Sequence, residues 1–285
     1  MDNLLQQFIH TARLQPGQTA LVYNSKHISY AYLLQLVEQT AATYARKGIK
    51  EDDKVLVVVP VSHDWYRIVL ALLSIGASPV VAGAGVDMEE MKQYAADCNC
   101  MIADAKTLFL SRFNTVLRYI PLKIKTGYIN EDTEHAAMGM GGGLTLKVVD
   151  RGSKKHLGNN SLNEYYQFLQ PALDTGSELS LVVHPLIALM QVCMGKITAL
   201  PPAGYNMQSS ELTGMLVDDI ITVRADEIVC PKQVALSIAD LAGTYDDLKE
   251  QLKYVLVTDS ISETEMEEIR KGFPNAKIVV LNTMF

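Results

Sequence analysis

Basic blocks, a second metal-spaced cysteine pair and unbroken apolar runs of membrane-spanning length are all missing from this sequence, and each absence removes a class of function. Among 285 residues, 25 Lys and Arg stand against 32 Asp and Glu, a formal net charge of −7. No Lys/Arg block supplies the positive stripe that a phosphate backbone requires, so nucleic acid is not an expected partner. Cysteine is limited to Cys98, Cys100, Cys193 and Cys230. The start, MDNLLQQFIH, lacks a basic segment leading into an apolar signal core, and a reducing cytoplasm is the expected location. Cys98 and Cys100 would make half of a metal site, but no second Cys/His pair at finger spacing accompanies them. Buried, inert thiols are expected instead, and no metal site. The longest uncharged run, Ile68 to Val86, approaches the length of a membrane span. Gly76, Pro79, Gly83 and Gly85 interrupt it, so a helix ending at Gly76 and a strand over 78–82 account for it better than a span does. The sequence also lacks a G-x-S-x-G elbow, an H-E-x-x-H pair, a G-x-x-x-x-G-K-[ST] loop and a dinucleotide G-x-G-x-x-G in strand-to-helix context.

What is present is a globular composition, 48% apolar and 20% charged, long enough to bury a sizeable core. Ser29 is a plausible N-cap for a helix whose Leu33, Leu36, Val37, Thr40, Ala41 and Tyr44 fall at helical spacing and which stops at Gly48. Lys54–Pro60 is then a continuous valine-rich run, the pattern of a parallel strand covered on both faces. The alternation continues with a helix over 64–75, a strand over 78–82, a helix over 87–96 and a strand over 100–103. After a glycine-rich junction come a helix near 161–171 and strands near 179–183, 197–200, 227–230, 254–258 and 277–281, separated by helices over 185–194, 209–217, 231–241 and 261–271. The expected fold class is α/β: two α/β lobes with largely parallel sheets flanked by helices, residues 1–135 and residues 136–285.

Several short patterns together carry a family resemblance. Pro16…Thr19-Ala20-Leu21, Tyr30-Ala31-Tyr32-Leu33, Lys47-Gly48-Ile49, Asp52-Asp53-Lys54-Val55 and Gly76-Ala77-Ser78-Pro79-Val80 follow one another in order. Gly195–Pro202, Ala225–Leu241 and Leu252–Leu281 extend the series. In order and spacing the chain resembles the adenylate-forming superfamily, which includes acyl-CoA synthetases and the adenylation domains of nonribosomal peptide synthetases. The resemblance implies that fold, ATP-dependent carboxylate activation, and a Thr/Ser/Gly-rich loop that embraces the ATP phosphates.

The chain departs from the family where the family does chemistry. At the phosphate loop stands Thr145–Lys155, which keeps lysines but not the richness in glycines and hydroxyls, only Thr145, Gly152 and Ser153, and adds Asp150. Gly141, Gly142 and Gly143 upstream, with Lys154 and Lys155, are the candidate phosphate contacts, and a flexible hinge is the competing reading of the glycines. The family's Gly-Gly turn is matched by Thr258-Asp259-Ser260, and its Tyr-Gly-x-Thr-Glu motif falls at Asn282–Phe285 without the Glu. Relative to the family the chain is expected to be truncated and degenerate.

His184, Cys230 and Thr258 are the candidate substrate-pocket residues; for His184, helix capping or core packing is the alternative. No catalytic residue is assigned. His63, Asp64 and Arg67 are read as structural. Trp65 and Tyr66 are read as core rather than a partner anchor, and Arg151–His156 as a solvated basic loop. The function that follows is a non-catalytic, acyl-CoA-synthetase-like pseudoenzyme acting as a binding or partner module. The alternative is one chain of a split acyl-CoA or acyl-carrier ligase completed by a second chain. No cofactor is expected of this chain alone, and ATP with Mg only under the split reading. A protein partner, a homo-oligomer or a small carboxylate ligand is expected, with an exposed strand edge near 279–285 favouring association.

Overall fold

The computed structural model describes residues 4–82, 92, 94–127, 147–149, 159–201 and 210–281. The element order is α1 (Leu4–Leu14), β1 (Thr19–Tyr23), β2 (Lys26–Ser29), α2 (Tyr30–Arg46), β3 (Lys54–Val58), α3 (His63–Ile75), β4 (Ser78–Ala82), β5 (Cys100–Ala103), α4 (Ala105–Leu110), β6 (Leu122–Lys125) and β7 (Lys147–Val149). Then follow α5 (Asn159–Leu173), β8 (Leu179–Val182), α6 (Pro185–Met194), β9 (Ile197–Ala199), α7 (Ser210–Val223), β10 (Glu227–Cys230), α8 (Lys232–Leu241), α9 (Asp246–Gln251), β11 (Tyr254–Val257), α10 (Glu263–Gly272) and β12 (Lys277–Val280). Two compact units divide the chain. The first comprises Met1–Gln6 and Tyr32–Tyr165, the second Gln7–Ala31 and Tyr166–Met284. Where the sequence suggested one cut near residue 135, the second unit thus also takes an early segment.

In the first unit five strands run parallel in the order β6-β5-β3-β4-β7. Val55, Leu56 and Val57 of β3 and all four residues of β5 are buried, because an inner strand of a parallel sheet is covered on both faces. Leu56, Val80, Met101, Ala103, Leu117 and Ile120 belong to the core on one side. Helix α3 ends where the long uncharged run had to break. Gly76 adopts a left-handed φ of 82°, and the capping N–H groups reach Leu72 and Leu73, a conformation that glycine enters without a Cβ penalty. Strand β4 follows two residues later. Among the described residues no helix is long and apolar enough to cross a membrane.

Trp65 and Tyr66 are buried and meet edge to face at 4.9 Å, which makes them core. Buried Arg67 bonds Asp64 at 2.8 Å and Thr40 Oγ1 at 2.8 Å, so this charge is satisfied inside the unit and its role is structural.

The second unit carries a seven-stranded sheet in the order β12-β11-β10-β8-β9-β1-β2. Every pairing is parallel except the β1–β2 hairpin. That hairpin turns on Asn24 and Ser25 with φ of 49° and 60°, the twist-matched geometry of a two-residue connection. Helices α7 and α8 pack Leu216, Val217, Ile220, Val234, Ala235 and Ile238 into a core with Leu181, Ile228 and Val255 of the strands.

Most expected elements stand within a few residues of their predicted bounds. Helix α1, strands β1, β2 and β6 and the six-residue helices α4 and α9 were not expected; in α4 and α9 one or two turns carry too little periodicity to read. The expected helix over 87–96 falls largely outside the described residues. So does the glycine-rich junction, apart from β7.

Candidate functional site

Parallel α/β sheets gather their ligands at the carboxyl ends of the strands, where neighbouring connections leave in opposite directions. In the second unit that reversal lies between β8 and β10: β9 extends the sheet on one side of β8, while β10, β11 and β12 extend it on the other. Three of the predicted site residues stand at this end of adjacent strands. His184 follows β8, Cys230 closes β10, and Thr258 follows β11.

The backbone fixes that row. Val183 N donates to Val229 O at 2.9 Å, and Thr258 N donates to Cys230 O at 3.0 Å. His184 takes the N-cap position of α6 in extended backbone, and Pro185 opens the helix, a position where a missing N–H costs nothing. The imidazole makes no capping hydrogen bond; the carbonyl of His184 accepts from Ala188 N at 3.0 Å. Cys230 and Thr258 are buried. Burial, and secondarily the charge of Asp259, pushes the Cys230 thiol well above its ordinary pKa, so it stays protonated and is no nucleophile at neutral pH. The other thiols are also buried. Burial first, then Asp53, pushes Cys100 up to about 12.

Asp259 is the residue whose role the sequence did not disclose. Its carboxylate accepts the backbone N–H of Lys232, the first residue of α8, at 2.8 Å. The N-terminus of a helix presents unpaired N–H groups and a partial positive charge, the ordinary seat of a phosphate or carboxylate. Here a side chain of the protein holds that seat. In sequence, Asp259 was visible only as a departure from a Gly-Gly turn.

The opposite end of the same sheet is a closed polar cluster. Glu227, fully buried at the start of β10, pairs with Lys196 at 3.2 Å and accepts from Gln191 Nε2 at 2.8 Å, with Thr175 Oγ1 on its second oxygen. Lys196 also donates to Leu173 O at 2.7 Å and to Thr175 Oγ1 at 3.0 Å. Asp226 accepts from Glu178 N and Leu179 N, both at 3.0 Å, which ties the entry of β8 to that of β10. These bonds satisfy charges inside the fold and serve packing. A cleft of about 50 Å³ beside the β1–β2 turn is lined by Val22, Asn24, Leu181, Leu200 and Asp219; it has room for about one or two waters and touches none of the predicted site residues. Gly141, Gly142, Gly143, Lys154 and Lys155 lie outside the described residues.

Residues 8–121 match the family model for AMP-binding enzymes. Sequence and fold both place this chain beside the adenylate-forming enzymes. Acetyl-coenzyme A synthetase of Cryptosporidium parvum is 31% identical over 107 residues, 35% of this chain and 15% of that protein. The 2-succinylbenzoate–CoA ligase of Listeria innocua is 26% identical over 135 residues, 46% of this chain and 27% of that protein. The nonribosomal peptide synthetase FmoA3 superposes with a TM-score of 0.80 at 14% identity over 98% of this chain and 31% of that one. The first two likenesses are of sequence; the third is of fold alone. In each, this chain spans less than a third of the relative.

Proposed function

We propose that this adenylate-forming-type chain is a non-catalytic binding module, a pseudoenzyme that retains the scaffold and takes a small carboxylate or a protein partner. The observation that carries this reading is the Asp259 carboxylate on Lys232 N at 2.8 Å. A second anion approaching the start of α8 meets a fixed negative charge and has to displace it. Positioned positive charge at the reacting phosphates is the main source of rate in such chemistry, and removing one donor typically costs on the order of 10²–10³ in rate. The Thr145–Lys155 stretch, which stands where the family's glycine- and hydroxyl-rich loop is expected, supports the same reading.

Calorimetry with Mg-ATP on the purified chain, alone and with a mixture of fatty and aryl acids, tests it. No saturable heat with ATP and no ATP–pyrophosphate exchange are expected. Saturable micromolar binding or robust exchange overturns the proposal. ATP binding that arises only with a second chain supplying the remainder of the fold selects the split-ligase alternative. Asp259→Asn keeps an acceptor for Lys232 and removes the charge, so it is expected to bind inorganic phosphate more tightly than the unaltered chain. Equal affinity removes Asp259 from the account.

A further inference from the structure

Between residues 105 and 130 the sequence carries Lys106, Arg112, Arg118, Lys123 and Lys125 and no Asp or Glu. Spaced along the chain they form no block, but the fold brings Arg112, Arg118 and Lys123 near one another, and Lys125 shares a face of β6 with Lys123. Helix α4, short 3-10 turns at Ser111–Phe113 and Leu117–Tyr119, and strand β6 follow one another in the first unit. Lys123 Nζ reaches the carbonyl of Arg118 at 3.5 Å, and the Arg118 guanidinium lies 4.5 Å from the centre of the Tyr119 ring. The pKa of Lys123 is lowered, first by burial and then by the positive charge of Arg112. Among the described residues none of Arg112, Arg118, Lys123 and Lys125 forms an ion pair.

The same segment exposes apolar groups that a water-facing surface has no use for. Phe109 is 56% exposed, Leu110 48%, Phe113 74% and Tyr119 71%. These are four of the eight exposed large hydrophobic side chains among the described residues. Phe109 and Phe113 meet edge to face at 5.4 Å, so the two rings form one apolar knob.

We infer that this face of the first unit docks on the surface of an anionic lipid bilayer, with Phe109, Leu110 and Phe113 entering the headgroup–acyl boundary and Arg112, Arg118, Lys123 and Lys125 on the lipid phosphates. Large apolar side chains beside Lys and Arg are the two ingredients of interfacial binding: burial of the first holds the protein down, and attraction of the second selects charged lipid. Tyr119 suits the boundary, with an apolar ring and a polar tip. Lipid is favoured over a polynucleotide because exposed Leu110 offers no ring on which a base could stack, whereas a hydrocarbon boundary takes up aliphatic and aromatic groups alike. The contact lies on the membrane and requires no spanning segment.

Flotation of the full chain with vesicles tests this. One set is phosphatidylcholine alone; in the other about a third of the lipid is phosphatidylserine, a content that gives a distinct negative surface potential. Binding to the second set only, released by high salt, is the expected result. Each positive charge removed is expected to weaken partition about fivefold, so Arg112→Gln with Arg118→Gln lowers it by more than about tenfold. Phe109→Ser with Phe113→Ser is expected to abolish flotation while leaving the circular dichroism spectrum unchanged. Phe113→Ser alone, at the most exposed position, serves if the double variant misfolds, and a clear loss is expected there too. Equal binding to both vesicle sets, no binding to either, or full binding by these variants overturns the inference. So does salt-sensitive binding to a single-stranded oligonucleotide in preference to vesicles.

Discussion

Ser262 and Glu265 close the N-terminus of α10 reciprocally: the Ser262 N–H donates to Glu265 Oε2 at 2.7 Å, and the Glu265 N–H donates to Ser262 Oγ at 3.3 Å. The Ser262 N–H first, then Lys232 at 3.1 Å, draws the Glu265 carboxyl down to about 2 from an ordinary 4.5. A depressed folded-state value means that the charged form stabilises the fold. The contribution is complete above pH 4.5 and is lost as pH falls toward 2. Glu265→Gln is therefore expected to lower the urea midpoint at pH 7, with the difference from the unaltered chain narrowing below pH 4.5; a pH-independent difference would mean that the charge is not its cause. Residues of this kind are legible in sequence, since Ser-x-x-Glu ahead of a helix is a local signal. Asp259 is not. Its partner at Lys232 is 27 residues away, and only the pairing of β10 with β11 brings the two together. His184 was legible as a residue at a strand-to-helix junction, and its company with Cys230 and Thr258 followed only from strand order.

At the scale of elements, α8 and α10 touch where one side chain is missing. A Cβ on Gly272 would stand 2.6 Å from both Cα and O of Ala239, a distance backbone atoms cannot yield. Gly272→Ala is expected to destabilise by about 1–3 kcal/mol, measured by chemical denaturation. A Cβ on Gly17 meets nothing within 4 Å, and Gly17→Ala is expected to change stability by less than about 0.5 kcal/mol. Inner parallel strands were legible because a strand buried on both faces must be apolar throughout, as in Val55–Val57 and Ile228–Cys230. The hairpin of β1 and β2 was less so. Half of β2, Lys26 and His27, faces water, and nothing local in Thr19–Tyr23 says which sheet it will join.

At the scale of the whole molecule, the second sheet has an open side. Among the described residues β12 pairs with β11 alone, and Ile278, Val279 and Val280 are only partly covered. An unpaired apolar edge recruits another strand, so light scattering at high concentration is expected to give a mass above the 31.4 kDa of one chain. A sharp monomer peak would mean that this edge is already protected. The other side of the sheet carries a consequence in time. Strand β1 pairs with β9, Leu21 opposite Thr198 and Val22 opposite Ala199, and the Tyr30 hydroxyl donates to the carbonyl of Val192, 162 positions later. A ribosome adding about 5–20 residues each second releases the early segment on the order of ten seconds or more before its partners exist. A lone hairpin is marginal in water. The β1–β2 segment therefore waits for partners made long after it, and during that interval it is open to chaperones and proteases.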